Sequence, residues 1–118
     1  MTPEALRIAI AQDQGWEQIG ITSKSNTLVG MLAPMRAFME IPDYPGDLNV
    51  MHEVVSAAAA KDGWLFQELY ISTLHTVTRR RRPDVNEGQA QFWTAEAEAR
   101  QRAEAYARVK GIWTNDTP

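Results

Sequence analysis

The sequence predicts a single domain of the α+β class, spanning residues 1–118. Its length fits one domain, since domains typically contain about 100 to 200 residues. Hydrophobic residues make up 44% of the chain, as in ordinary packed proteins. Apolar residues recur at helical spacing near both ends and in the middle, and the segments between them carry the β-branched and turn residues typical of hairpins.

The first helix is predicted at residues 3–14. Thr2 can accept a hydrogen bond from the free amides at the start of a helix, and Pro3 suits the first helical position. Gly15 supplies the left-handed conformation that ends many helices, and Trp16 is expected to fold back on the last turn.

Residues 19–39 are predicted to form a hairpin, or a strand followed by a loop. Their β-branched residues favour strands, and the polar residues 23–26 are suited to the tip. Pro34 argues against a central strand in the second half, because proline has no amide to donate to a neighbouring strand. The stretch PMRAFMEIP, residues 34–42, fits either a short strand or a loop.

A second helix is predicted at residues 48–61, after the turn IPDYPGD. Asp47 is placed to cap this helix with its carboxylate. Leu48, Met51 and other apolar residues then recur at helical spacing and are expected to pack. Asp62 and Gly63 are expected to break the helix.

A short third helix and a second hairpin are predicted next. WLFQELY, residues 64–70, is expected to place its leucines, Phe66 and Tyr70 on one side. ISTLHTVT, residues 71–78, favours a strand because of its β-branched residues. RRRRPDVNEG is then predicted to be a turn that leads into a strand at QAQFW.

The last helix is predicted to begin after Thr94, which is suited to cap it, and to end at Gly111. Ile112 and Trp113 are expected to pack back on its final turn. Acid-before-base pairs four residues apart each stabilise a helix by roughly 0.2 to 0.5 kcal/mol. Three such pairs are present: Glu96 with Arg100, Glu98 with Arg102, and Glu104 with Arg108. The predicted apolar face consists of Ala95, Ala99, Ala103, Tyr106 and Ala107.

Charge and composition exclude several classes of protein. A formal net charge of −3 predicts no broad attraction to nucleic acid or anionic lipid. The absence of cysteine excludes disulfides, thiolate metal ligands and cysteine nucleophiles. The sequence shows no signal-like leader and no run of about eighteen apolar residues, so we expect no membrane span and a cytoplasmic location.

One candidate site lies at His52 and Glu53, because HEVVS resembles the start of the zinc-protease pattern HExxH. That pattern needs a second histidine one helical turn later, and Ser56 stands there instead. We therefore expect no metal. His52 is interpreted as a semi-buried residue that is hydrogen-bonded to a nearby carbonyl or to a carboxylate such as Asp43 or Asp47, rather than as a general base. A hydrolase built from Asp43, Asp47, His52 and Glu53 remains an alternative.

The second candidate site is the basic run Arg79, Arg80, Arg81 and Arg82, which is predicted to form an exposed hairpin tip. The run is short and has no interleaved aromatic residues to stack on bases. We therefore favour a solvated tip or a contact with an acidic protein surface over a phosphate site. Trp64, Trp93 and Trp113 are interpreted as packing residues rather than as a ligand cage.

Three stretches resemble the small phage and prophage proteins that carry the phage ABA sandwich domain. They are DQGW after the first helix, IPDYPGDLNVMHEV before the second, and TAEAEARQRAEAYARVKGIW at the end. The residues that carry the resemblance are Gly15 and Trp16, then Pro42, Tyr44, Asp47, Leu48, Asn49, Met51 and His52, and finally residues 100–105. The resemblance covers about half of the chain and implies a layered α+β fold and a phage or prophage origin.

That family has no established activity, catalytic residues or cofactor, and the sequence shows no activated nucleophile and no phosphate-binding loop. The sequence therefore predicts a non-catalytic phage or prophage protein that binds a host or phage protein in the host cytoplasm, with host takeover or anti-defence as a possible setting. The alternatives are a nucleic-acid-associated protein that uses residues 79–82, and the hydrolase described above. Self-association is left open.

Overall fold

The computed structural model describes residues 1–23, 26–32, 37–81 and 97–115. These residues form three helices and a small antiparallel sheet, which confirms the α+β class. The elements in chain order are α1 Pro3–Asp13, β1 Trp16–Ile21, β2 Leu28–Leu32, β3 Met39–Glu40, α2 Leu48–Arg81 and α3 Ala99–Val109.

Helix α1 begins and ends as its local sequence predicts. The Thr2 hydroxyl accepts a hydrogen bond from the Ala5 amide at 3.1 Å, and Pro3 takes the first helical position. Gly15, with φ of 98°, ends the helix. Trp16 then begins strand β1, and its buried indole packs in the core.

The predicted first hairpin is confirmed, and a short third strand extends its sheet. Strands β1 and β2 pair antiparallel from Trp16 opposite Leu32 to Ile21 opposite Leu28, with an irregularity between Glu17 and Gly20. Strand β3 pairs antiparallel with the other edge of β2, so the strand order is β1-β2-β3.

Helix α2 contains the predicted break, but it continues where a strand was predicted. Gly63 has φ of 75° and ψ of −160°, which divides α2 into a first half, residues 48–62, and a second half, residues 64–81. The strand predicted at residues 71–78 is wrong, because Tyr70, Leu74 and Val77 are buried at helical spacing. Core packing thus overrides the β preference of the branched residues.

Threonine side chains in the second half of α2 are compatible with the helix. The hydroxyl of Thr76 donates to the Ser72 carbonyl at 3.1 Å, and that of Thr78 donates to the His75 carbonyl at 3.0 Å. These bonds to the preceding turn are ones that threonine readily makes within helices. The predicted second strand, QAQFW, lies outside the described residues.

Helix α3 begins later than predicted. Glu98 has the extended backbone of a capping residue, and its amide donates to the Gln101 side chain at 2.9 Å. A helix that starts near Thr94 is therefore wrong, although Thr94 and Ala95 themselves lie outside the described residues. The predicted pair of Glu104 with Arg108 is confirmed at 2.9 Å, and Gly111 ends the helix with φ of 74°.

The core lies where α3 packs against both α1 and α2. The Tyr106 hydroxyl donates to the Asp13 carboxylate of α1, and the Tyr106 ring meets Phe66 of α2 edge-on, with 6.1 Å between ring centroids. Lys110 of α3 pairs with Asp62 beside the break in α2 at 3.2 Å. Within the described part of the chain, none of the helices is both long and apolar enough to cross a bilayer.

Candidate interaction surface

The turn before α2 is built from the residues of the predicted IPDYPGD motif. The Asp43 carbonyl accepts hydrogen bonds from the amides of Gly46 and Asp47 at 3.0 and 2.8 Å. A Cβ at Gly46 would clash with the Asp43 carboxylate, which would have to rotate away. Asp43 is exposed, but its carboxylate lies over the turn.

Asp47 caps α2, as predicted. Its Oδ1 accepts hydrogen bonds from the amides of Asn49 at 3.0 Å and Val50 at 3.3 Å. These amides belong to the first turn of the helix, where the backbone N–H groups have no acceptor within the helix. The carboxylate of Asp47 is therefore engaged in holding the helix start.

Hydrogen bonds connect the same turn to α1 and to strand β1. The Arg7 guanidinium donates to the backbone carbonyls of Ile41 and Pro42. Tyr44 is buried, and its hydroxyl accepts a hydrogen bond from the Trp16 indole at 3.2 Å. Burial raises the pKa of Tyr44, and the Trp16 hydrogen bond and the Arg7 charge partly oppose that rise.

The predicted environment of His52 is wrong, because this residue is exposed rather than semi-buried. Met51 and Val54 take the two positions that face the core, so the side chains between them, His52 and Glu53, point outward. Asn49 is exposed as well. Leu48, which was expected to pack, is 49% exposed at the start of the helix.

The four side chains of the alternative hydrolase site are therefore all exposed, and they lie in the turn before α2 and on its first half. Asp47 is engaged in capping, while His52 and Glu53 lie on the solvent side of α2. Among the residues that the structure describes, no group of three or more His, Asp or Glu side chains is placed to hold a metal ion.

The basic run does not form a hairpin tip. Arg79 is exposed on α2, and the backbone of Arg80 and Arg81 continues that helix to its end. The tip prediction is wrong because the preceding segment is helical. Cations in the last turn of a helix complement its negative end. Arg82 lies outside the described residues, as do the side chains of Arg80 and Arg81.

An open cleft of about 390 Å³ lies beside the start of α1, where Arg7, Glu4 and Asp43 contribute to its lining. Its cation is already engaged by two backbone carbonyls. Arg7 lies 3.9 Å from the Glu40 carboxylate as well. The Arg7 guanidinium therefore links α1 to the turn before α2 at this cleft.

Among the described residues, an apolar surface lies on the solvent side of the second half of α2, which we call the outer face. Four large apolar side chains are exposed there within eight residues: Trp64 at 73%, Leu65 at 55%, Leu69 at 49% and Ile71 at 55%. On the opposite side of the same turns, Phe66 and Tyr70 are buried and stack with 5.8 Å between ring centroids. This stretch of helix is therefore apolar on both sides.

The outer face corrects two sequence predictions. Trp64 does not pack in the core, and the two leucines do not share a side with Phe66 and Tyr70. The available signal was the composition of WLFQELYI, in which six of eight residues are large and apolar. One helix face cannot bury six large side chains within eight residues, so some of them lie on the solvent side.

Comparisons of the chain with protein-family models, with curated proteins and with solved structures found no match. The resemblance to the phage ABA sandwich proteins therefore stays a prediction.

Proposed function

We propose that this protein is a non-catalytic binding protein, and that the outer face of α2 is the surface on which it binds another protein. The observation that carries this proposal is the exposure of Trp64, Leu65, Leu69 and Ile71 on consecutive turns. Single exposed apolar residues are ordinary on protein surfaces, whereas a cluster of large ones marks an interaction site.

The composition of the outer face supports protein binding. Tryptophan is among the residues that most often dominate binding energy at protein interfaces, and burial of aromatic and aliphatic side chains supplies the driving force. Glu68 is exposed within the face. Glu68 stands among the four apolar side chains, whereas Arg79 lies about 16 Å farther along the helix. The apolar part of the face therefore favours protein over nucleic acid.

The outer face is held on a rigid support. The inner side of the same turns packs on α3 through Phe66, and Tyr70 and Leu74 are buried in the same core. A surface that is already ordered loses little conformational entropy on binding. The backbone positions that carry the exposed side chains are therefore fixed by the core.

The biological setting of this binding remains a proposal. The resemblance to phage and prophage proteins supports a host or phage protein as the partner, and a host cytoplasm as the location.

Site-specific photo-crosslinking in cells tests the proposed surface. A photoreactive residue at Leu65 is expected to give a discrete crosslinked adduct with a protein. The same residue at Leu48 is the control, because Leu48 lies on the same helix and is 49% exposed but lies outside the face. Equal crosslinking at both positions, or none at Leu65, would contradict the proposal.

A further inference from the structure

We propose that the partner on the outer face is a different protein that places a basic side chain, an arginine or a lysine, against Glu68. This inference rests on the proposed function, because it gives the chemistry of the protein that covers the same surface. Its basis is the position of Glu68 among the apolar side chains of the outer face, together with the absence of a cation beside it.

Glu68 lies at the centre of the outer face. Along the helix axis it stands between Trp64 and Ile71, about 6 Å from the first and about 4.5 Å from the second. Around the axis, at 100° per residue, these two residues lie about 40° and about 60° to one side of Glu68. Leu65 and Leu69 lie about 60° and about 100° to the other side. The exposed carboxylate of Glu68 therefore has apolar side chains on both flanks.

This carboxylate has no partner within the described part of the chain. It forms no hydrogen bond or ion pair with any other described residue. His75 and Arg79 lie farther along the same side of α2, about 10 Å and about 16 Å away along the axis. Both already have interactions within the chain. The charge of Glu68 is thus compensated by water alone among the groups described.

Closing the outer face against a partner would remove that water. An unpaired buried carboxylate is strongly unfavourable, whereas a cation with well-placed hydrogen bonds offsets the lost hydration. Arginine can donate two parallel hydrogen bonds to one carboxylate, and the methylene stems of arginine and lysine can cover apolar side chains. A basic side chain within an otherwise apolar surface therefore matches both parts of the outer face.

The central position of Glu68 also argues against a second copy of this chain as the partner. A two-fold axis that brings two outer faces into full contact passes through the centre of the face. The two Glu68 carboxylates would then lie next to each other, whether the helices run parallel or antiparallel. Like charges in contact oppose association. A different protein with a basic centre avoids this repulsion.

Substitution of Glu68 in the full-length chain tests the inference. The readout is the yield, in cells, of the protein adduct formed through a photoreactive residue at Leu65. Glu68→Leu enlarges the apolar surface, so it should preserve or raise the yield if the contact is apolar only. If Glu68 pairs with a basic side chain, this variant leaves the cation buried without a partner, and we expect at least about a tenfold loss of adduct.

The matched control is Glu53→Leu, which makes the same change at an exposed acid on the first half of α2. It should leave the yield of the adduct through position 65 unchanged, because Glu53 lies outside the outer face.

An exchange of charges identifies the basic side chain. Position 65 lies one helical turn from Glu68, so the cation should lie close to the crosslinked site on the partner, which peptide mass spectrometry locates. Glu68→Lys should abolish the adduct, and replacement of that cation by glutamate in the partner should restore it. Restoration also excludes misfolding, because a change in the partner cannot repair an unfolded chain.

The opposing outcomes separate this inference from the proposed function. An unchanged or increased yield with Glu68→Leu, a crosslinked site without a nearby basic residue, or a failed charge exchange would overturn the basic partner and leave the binding surface standing. An adduct of twice the mass of the chain would show a second copy and would have the same consequence. If Leu65 gives no adduct, both proposals are overturned.

Discussion

The two halves of α2 bury apolar side chains against the core in the same way but differ on the solvent side. In the first half, Met51, Val54 and Ala58 are buried. Apart from Leu48 at the helix start, the outward positions there carry polar or small residues such as Glu53 and Ser56. In the second half, Phe66, Tyr70 and Leu74 are buried, and the outward positions carry Trp64, Leu65, Leu69 and Ile71.

This difference distinguishes the buried side chains, which folding requires, from the exposed apolar side chains, which it does not require. Burial of the inner side chains explains why both halves pack against the core, because apolar area removed from water stabilises the domain by about 25 cal/mol per Å². The outer apolar residues of the second half contribute little to that burial. We propose that association with another protein explains their presence.

The largest expected effect is the same for both halves. Met51→Ala and Leu74→Ala each remove a side chain that is at most 1% exposed, and each should cost about 2 to 5 kcal/mol of stability. Denaturant unfolding measures these values. A cost below about 1 kcal/mol at either site would break the equivalence of the two inner faces.

The junction between the halves should be the next most sensitive position. Gly63→Ala meets no atom within 4 Å, so any cost comes from the backbone conformation, with φ of 75° and ψ of −160°. Holding alanine in a region used almost only by glycine costs of order 1 to 3 kcal/mol. Thermal unfolding of this variant with an unchanged midpoint would contradict the observed break.

The start of the first half depends on one side chain. Asp47→Ala removes the acceptor for two amides of the first turn and should cost about 0.5 to 2 kcal/mol. Asp47→Asn is the matched variant, because asparagine caps about as well, and it should retain most of the stability. Equal losses in both variants would show that capping is not the role of Asp47.

The smallest expected effect on stability belongs to the outer face. Trp64→Ser changes a residue that is 73% exposed, and substitutions at such positions usually alter stability by less than about 0.5 kcal/mol. Chemical denaturation should therefore leave the midpoint nearly unchanged. A loss of several kcal/mol would mean that Trp64 is covered within the folded chain.

Local chemistry explains why part of the fold could be predicted from the sequence. Thr2 and Asp47 cap their helices, and Gly15, Gly63 and Gly111 adopt positive φ where helices break or end. Each of these features depends on a few neighbouring residues. The sequence therefore predicts them without knowledge of the tertiary structure.

The remaining features depend on contacts between distant parts of the chain. Residues 71–78 have β-branched side chains but are helical, because Leu74 and Val77 are buried at helical spacing. The directions of Leu65 and Leu69 depend on which side of α2 meets α3, and the spacing of apolar residues alone does not specify that side. The sequence therefore pointed to the arginines, which lie farther along the same helix, and did not indicate the outer face.

Photo-crosslinking through a photoreactive residue at Leu65, combined with either Leu69→Gln or Leu48→Gln, tests the central claim most directly. Both leucines lie on α2 and both are 49% exposed, but only Leu69 belongs to the outer face. The account predicts that Leu48→Gln keeps the protein adduct formed through position 65 and that Leu69→Gln loses it. Equal yields of this adduct in the two variants would contradict the claim that this face is where the protein binds.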